Sequence, residues 1–156
     1  MKQLILSVLL LFLGAHTVTT QNITDNAIGL RIGASDGFGT EISYQRALGN
    51  INRLEVDLGW KSGSDFDGFR LAGLYQWIWN LDGNFNWYAG AGGGLGNYNH
   101  NTNGSDTFVF AAGNIGVEYN LDMPLLLSLD FRPEIGFGDF NNNLDFDIAF
   151  GIRYQF

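Results

Sequence analysis

The last stretch of the chain sets the pattern for the rest. From Leu144 to Phe156 every second residue is large and apolar: Leu144, Phe146, Ile148, Phe150, Ile152, Tyr154 and Phe156. The residues between are charged, polar or small: Asp145, Asp147, Ala149, Gly151, Arg153 and Gln155. A period of two belongs to a β-strand with two unlike faces. The apolar face is unbroken over a length that meets the roughly 9–11 residues a tilted strand needs to cross a bilayer. The pattern predicts an apolar face turned to lipid and a polar face turned to the inside of a closed barrel.

The same period, followed from Ala27, predicts about eight strands at 27–34, 40–45, 53–61, 69–79, 85–96, 107–119, 125–138 and 144–156. The connections alternate in kind. Segments 47–52, 80–84 and 120–124 are compact and carry turn residues, Asp82-Gly83 among them. Segments 35–39, 62–68, 97–106 and 139–143 read as loops of Asn, Asp, Gly and Ser. Short turns at one end and polar loops at the other predict an all-β fold, a closed antiparallel up-and-down transmembrane β-barrel.

Aromatics support that geometry. Tyr44, Trp77, Trp87, Tyr119, Tyr154 and Phe156 fall near the turn ends of their strands, and Trp60, Phe69, Phe137 and Phe146 near the loop ends. Two aromatic rings at two heights suit the two interfaces of a membrane. Two strands fit less well. Pro133 cannot donate to a ladder, which predicts a bulge or local break. The glycines of 90–96 predict a weakly set register.

The remaining face would fill the lumen with Arg31, Arg70, Arg132 and Arg153, and with Glu41, Glu55, Asp57, Glu118, Asp130, Glu134, Asp145 and Asp147. An eight-stranded barrel is just wide enough for side chains to fill. Opposite charges from different strands therefore predict a plug of ion pairs rather than a channel. The acids outnumber the arginines, which places some water inside or some acids at a mouth.

Composition adds exclusions. The 156 residues suffice for one domain, and 46% are hydrophobic, an ordinary value that suits apolar residues spread singly along strands. There is no cysteine, so no disulfide framework, thiolate site or cysteine nucleophile is available. A net charge of −8 makes a poor nucleic-acid binder. At the start, Lys2 and the apolar run Leu4 to Leu13 read as an export signal, too short to span as a helix. The expected division is a signal peptide at 1–20, cut at Thr20–Gln21 with Thr17–Val18 as second choice, and a barrel domain at 21–156.

Candidate chemistry is thin. His100 is the one histidine beyond the signal and is read as a loop residue near Ser105 and Asp106. A nucleophile and base need hydrogen-bond reach and rigid support, which a polar loop does not give. Asp65-Phe66-Asp67-Gly68 lacks the full ligand spacing of a calcium loop. Asn22-Ile23-Thr24 and Asn103-Gly104-Ser105 are sequons that matter only in a eukaryotic source. The run Gly90 to Gly96 lacks the lysine and helix of a phosphate loop. No catalytic residue, cofactor site or metal site is assigned.

The signal, the eight two-faced strands, the acidic and arginine-bearing lumen and the terminal Tyr154-Gln155-Phe156 together resemble the small outer-membrane barrels of Gram-negative bacteria, the OmpX/OmpA-like group. The resemblance implies a place in the cell outer membrane and contact with outer-membrane lipid and lipopolysaccharide. It also implies a monomer, with Phe156 read by the barrel-assembly machinery. Members are variously structural, adhesive or stress-related, and the strand-borne His/Ser pair of the lipid A deacylases has no match here. The expected role is structural or loop-mediated, without catalysis. The alternatives are a narrow pore for small solutes, a lipid-modifying outer-membrane enzyme, and a soluble secreted lipocalin-like barrel with its faces inverted.

Overall fold

Alternation is realised as eight antiparallel strands in a computed structural model, which describes residues 23–33, 39–62, 66–100, 104–137 and 143–156. They are β1 Asn26–Gly33, β2 Thr40–Ala47, β3 Asn52–Ser62, β4 Phe66–Asp82, β5 Phe85–His100, β6 Gly104–Asn120, β7 Leu125–Phe137 and β8 Leu144–Gln155. Each pairs with its neighbours in sequence, and β8 returns to β1, so the sheet closes with no edge. Closure runs from Gly33↔Ala149 to Ala27↔Gln155. It ends with Asn26 N–H donating to Phe156 O (3.2 Å) and Phe156 N–H to Asn26 O (2.9 Å). The predicted signal and its cleavage bond lie outside the described residues.

The two faces sort as the period demands. Phe146, Ile148, Phe150 and Ile152 point away from the barrel axis, 38–63% exposed, whereas Asp147 and Arg153 are buried. Trp60, Phe69, Phe137 and Phe146 are exposed towards the loop end, and Trp60 pairs with Phe69 across strands. At the turn end Trp79 stacks on Trp87 (4.4 Å between centroids), and Tyr44 O–H donates to Asn26 Oδ1 (2.7 Å). The apolar-inside arrangement of a lipocalin is thereby overturned.

Two expectations are corrected, and one is met in its second form. Loops read at 62–68 and 97–106 are largely strand: β4 starts at Phe66, β5 runs to His100 and β6 starts at Gly104. Apolar alternation fades there because both faces are polar, but main-chain pairing continues without it, from Leu95↔Val109 to His100↔Gly104. At Pro133 the expected interruption is a local break and not a bulge. The β6–β7 ladder passes from Ala112↔Glu134 to Ile115↔Phe131 in one register with two pairs missing. Proline has no N–H to close the pair opposite Gly113, while its other side pairs normally with Phe146. The glycine-rich β5 pairs with β6 in one continuous register from Phe85↔Tyr119 to His100↔Gly104, for a reason that lies in the lumen.

Candidate functional site

The interior is where polar side chains converge, and it is built in two halves. One half comes from β1, β2, β3, β7 and β8. Arg31 reaches Asp130 (2.5 Å), Asp147 (2.5 Å) and Glu41 (3.0 Å). Arg132 reaches Asp57 and Glu41 (both 2.8 Å) and Glu134 (2.9 Å). Arg153 pairs with Glu55 (3.1 Å) and donates to Ser43 Oγ (2.9 Å) and Ser128 Oγ (2.8 Å). From the other half, Arg70 on β4 reaches across to pair with Glu134. Each guanidinium offers five donors in a fixed fork, so one arginine can serve several carboxylates. That is how five buried arginines hold seven buried carboxylates. Asp145, half-buried, sits at the loop-end mouth, as the surplus of acids required.

The other half, from β4, β5 and β6, is mixed: Arg70, Gln76, Asn86, Asn114 and Glu118 are buried there beside an apolar cluster. Ala72, Leu74, Phe110 and Ala112 form a buried cluster with Phe108 against it. The glycines of β5 make room for these rings. Gly94 pairs with Phe110 and Gly96 with Phe108, and a Cβ on either glycine would run into the ring of its partner. Gly116 stands likewise opposite Tyr88, whose ring carbon would lie 2.6 Å from an added Cβ. Tyr88 separates the halves: Arg53 lies over its ring (4.8 Å), and its hydroxyl faces Asp130 (3.4 Å).

Every residue predicted for the lumen is there. Sequence reasoning missed Arg53, which pairs with Glu118 (2.7 Å) and donates to Gln76 Oε1 (2.5 Å). Its parity with Glu55 and Asp57 on β3 was the available signal. It also missed Leu74, Ile78, Phe108, Phe110 and Ala112, whose only trace is an apolar run with no alternation at all. Asn114, buried beside the ladder gap, has no hydrogen-bond partner for either side-chain atom.

Among the described residues, the space left at each end is about the size of one water. Towards the loops, Arg70, Phe110, Glu134 and Asp145 enclose about 10 Å³. Towards the turns, Gln45, Arg53, Asn86, Glu118 and Gln155 enclose about 20 Å³, with Ile23 and Thr24 over them. Each holds about one water. The residues His100, Ser105 and Asp106 fall on paired strands. Ser105 and Asp106 are successive strand residues on opposite faces of β6, and Ser105 Oγ accepts from Asn97 (3.2 Å). His100 closes β5 opposite Gly104 instead of lying in a loop. Asp67 accepts from Ser62 Oγ (2.6 Å), while Asp65 falls outside the described residues. Among the described residues no group of three or more His, Asp or Glu side chains is placed to hold a metal.

No protein-family model matches the sequence, and no curated protein matches it. Solved structures do match in shape. The N-terminal β-barrel domain of Pseudomonas aeruginosa OprF superposes with a TM-score of 0.65 at 15% identity, covering 85% of this chain and 98% of that one. Neisserial surface protein A gives 0.59 at 19% identity, covering 84% and 94%. Ail, the attachment invasion locus protein of Yersinia pestis, gives 0.56 at 13% identity, covering 84% and 96%. The chain therefore has the fold of the eight-stranded outer-membrane barrels, the OmpX/OmpA-like architecture.

Proposed function

We propose that the chain is an integral protein of the bacterial outer membrane with a sealed lumen, serving a structural or loop-mediated role and neither conducting solutes nor catalysing a reaction. The observation that carries this reading is the plug itself: charged and hydrogen-bonded side chains fill the inside while the outside is a continuous apolar wall. A wall of that kind, continuous around a closed barrel, suits lipid. A plug of that kind leaves no path for a hydrated ion.

The same reading makes membrane lipid and lipopolysaccharide the surroundings of the wall. It makes Phe156, exposed beside Tyr154 at the end of the closing strand, the contact for the barrel-assembly machinery, and it makes the protein a monomer. Fractionated membranes test it. The protein should resist carbonate extraction and migrate differently on gels before and after boiling. In planar bilayers it should add no conductance above background. Steady single-channel steps would replace the sealed barrel with the narrow pore, and release by carbonate would remove the membrane assignment.

A further inference from the structure

We infer that the outer wall carries a seat for one phospholipid acyl chain along β6 and β7, in the leaflet at the turn end of the barrel. The inference rests on the reading that this wall faces lipid. Register places three rows of outward side chains here. The middle row runs Trp87, Val117, Leu129, Phe150 across β5 to β8. Two aliphatic side chains thus lie between two aromatic ones. The row above, towards the loops, is Ala89, Ile115, Phe131, Ile148, and the row below is Phe85, Tyr119, Leu127, Ile152.

Short side chains between tall ones leave a trough. Its upper part, of about 390 Å³, is lined by Trp87, Ile115, Val117, Leu129, Phe131 and Ile148. Its lower part, of about 150 Å³, shares Val117 and Leu129 and adds Phe85, Tyr119, Leu127 and Phe150. The two parts meet over one floor and run along the strands. The polar residues Glu118, Ser128 and Asp130 beneath it are turned into the lumen, so only their main chain reaches the trough.

Position and chemistry name the occupant. The trough lies within the apolar band and is continuous with the lipid-facing wall, so water is a poor filler. Its lower end stops at the Phe85–Tyr119 pair (4.6 Å between centroids), in the aromatic ring where amphipathic side chains meet headgroups. A chain lying in the trough therefore carries its headgroup at the interface. The flanking rings of Trp87 and Phe150 contact it from both sides, which adds dispersion contacts that a chain on a flat stretch of wall does not gain.

The test uses the full chain reconstituted in phosphatidylcholine bilayers, extracted in mild detergent and weighed by native mass spectrometry. One retained phosphatidylcholine per protein is expected. Val117→Trp, which fills the floor, should lower retention at least fivefold, and Leu129→Phe should act in the same direction if the first variant folds poorly. Val109→Trp, outward on β6 but outside the trough, should retain lipid as the parent does. Equal retention in all of these, or none in the parent, would overturn the seat while leaving the membrane reading intact. Disulfide-linked dimers of Leu129→Cys in place of bound lipid would overturn it in favour of a second copy. Failure of the parent to enter bilayers at all would overturn the reading beneath it.

Discussion

Arg132 is fully buried, and it ties four strands together through Glu41 on β2, Asp57 on β3, Glu134 on its own β7 and Asp147 on β8. Its worth lies less in attraction than in what its loss would leave behind. A buried ion pair gains little over a well-packed apolar substitute, but removing one partner strands the others in a dry interior. Arg132→Ala is therefore expected to cost about 3–5 kcal/mol of unfolding free energy, read by urea titration in detergent or lipid. Arg46 provides the contrast. It is the same residue type on an exposed position of β2, and Arg46→Ala should change stability by no more than about 0.5 kcal/mol. Equal losses at the two sites would mean that the luminal network does not hold the barrel together. Gly96 supplies a second test at this scale. A Cβ there meets the ring of Phe108, so Gly96→Ala should cost about 1–3 kcal/mol by overpacking. In a Phe108→Ala background most of that cost should vanish, and a double-mutant cycle measures the difference.

Those contacts explain how β5 keeps its register despite its glycines. Register is set by what fits opposite, and here the missing side chains are the fit: Gly94 and Gly96 receive Phe110 and Phe108. β7 shows the opposite case, where one residue removes a rung. Pro133→Ala should restore an N–H facing Gly113 O and raise stability by about 0.5–1.5 kcal/mol, the net worth of one hydrogen bond. Hydrogen exchange should show the new amide of residue 133 protected, and free exchange there would place the gap elsewhere than in the missing donor. These elements also mark what was legible beforehand. Strand number, order and facing followed from alternation, because lipid on one side and a polar lumen on the other leave opposite marks on successive residues. The apolar cluster of the lumen left none, since Leu74 and Ile78 stand between outward Tyr75, Trp77 and Trp79 and both faces read alike. The polar extensions at 97–100 and 104–106 were invisible for the converse reason. The polar half of the interior was readable residue by residue, but not its pairing, because partners such as Arg31 and Asp130 are 99 positions apart.

For the whole molecule, the deciding asymmetry is that charge is inside and oil is outside, the reverse of a protein that dissolves in water. The interior half of that statement fixes the seal, and the exterior half fixes the solvent. Ile148 tests the exterior half most directly. It stands mid-strand on β8, is 63% exposed and takes part in no polar contact of the wall. If water surrounded it, Ile148→Arg would be harmless and would improve solubility. With hydrocarbon around it, the same change carries a desolvated charge towards the bilayer centre, at about 2–4 kcal/mol. The expected outcome is a loss of that size in the free energy of folding into phosphatidylcholine vesicles, followed by tryptophan fluorescence through a urea titration. The penalty should shrink to about 0–1 kcal/mol when the arginine is placed at an outward position by the interface, as in Tyr154→Arg. A depth-dependent cost is the signature of a wall that spans a bilayer. A cost that is the same at both positions, or absent at both, would mean that the apolar band is covered by something other than lipid.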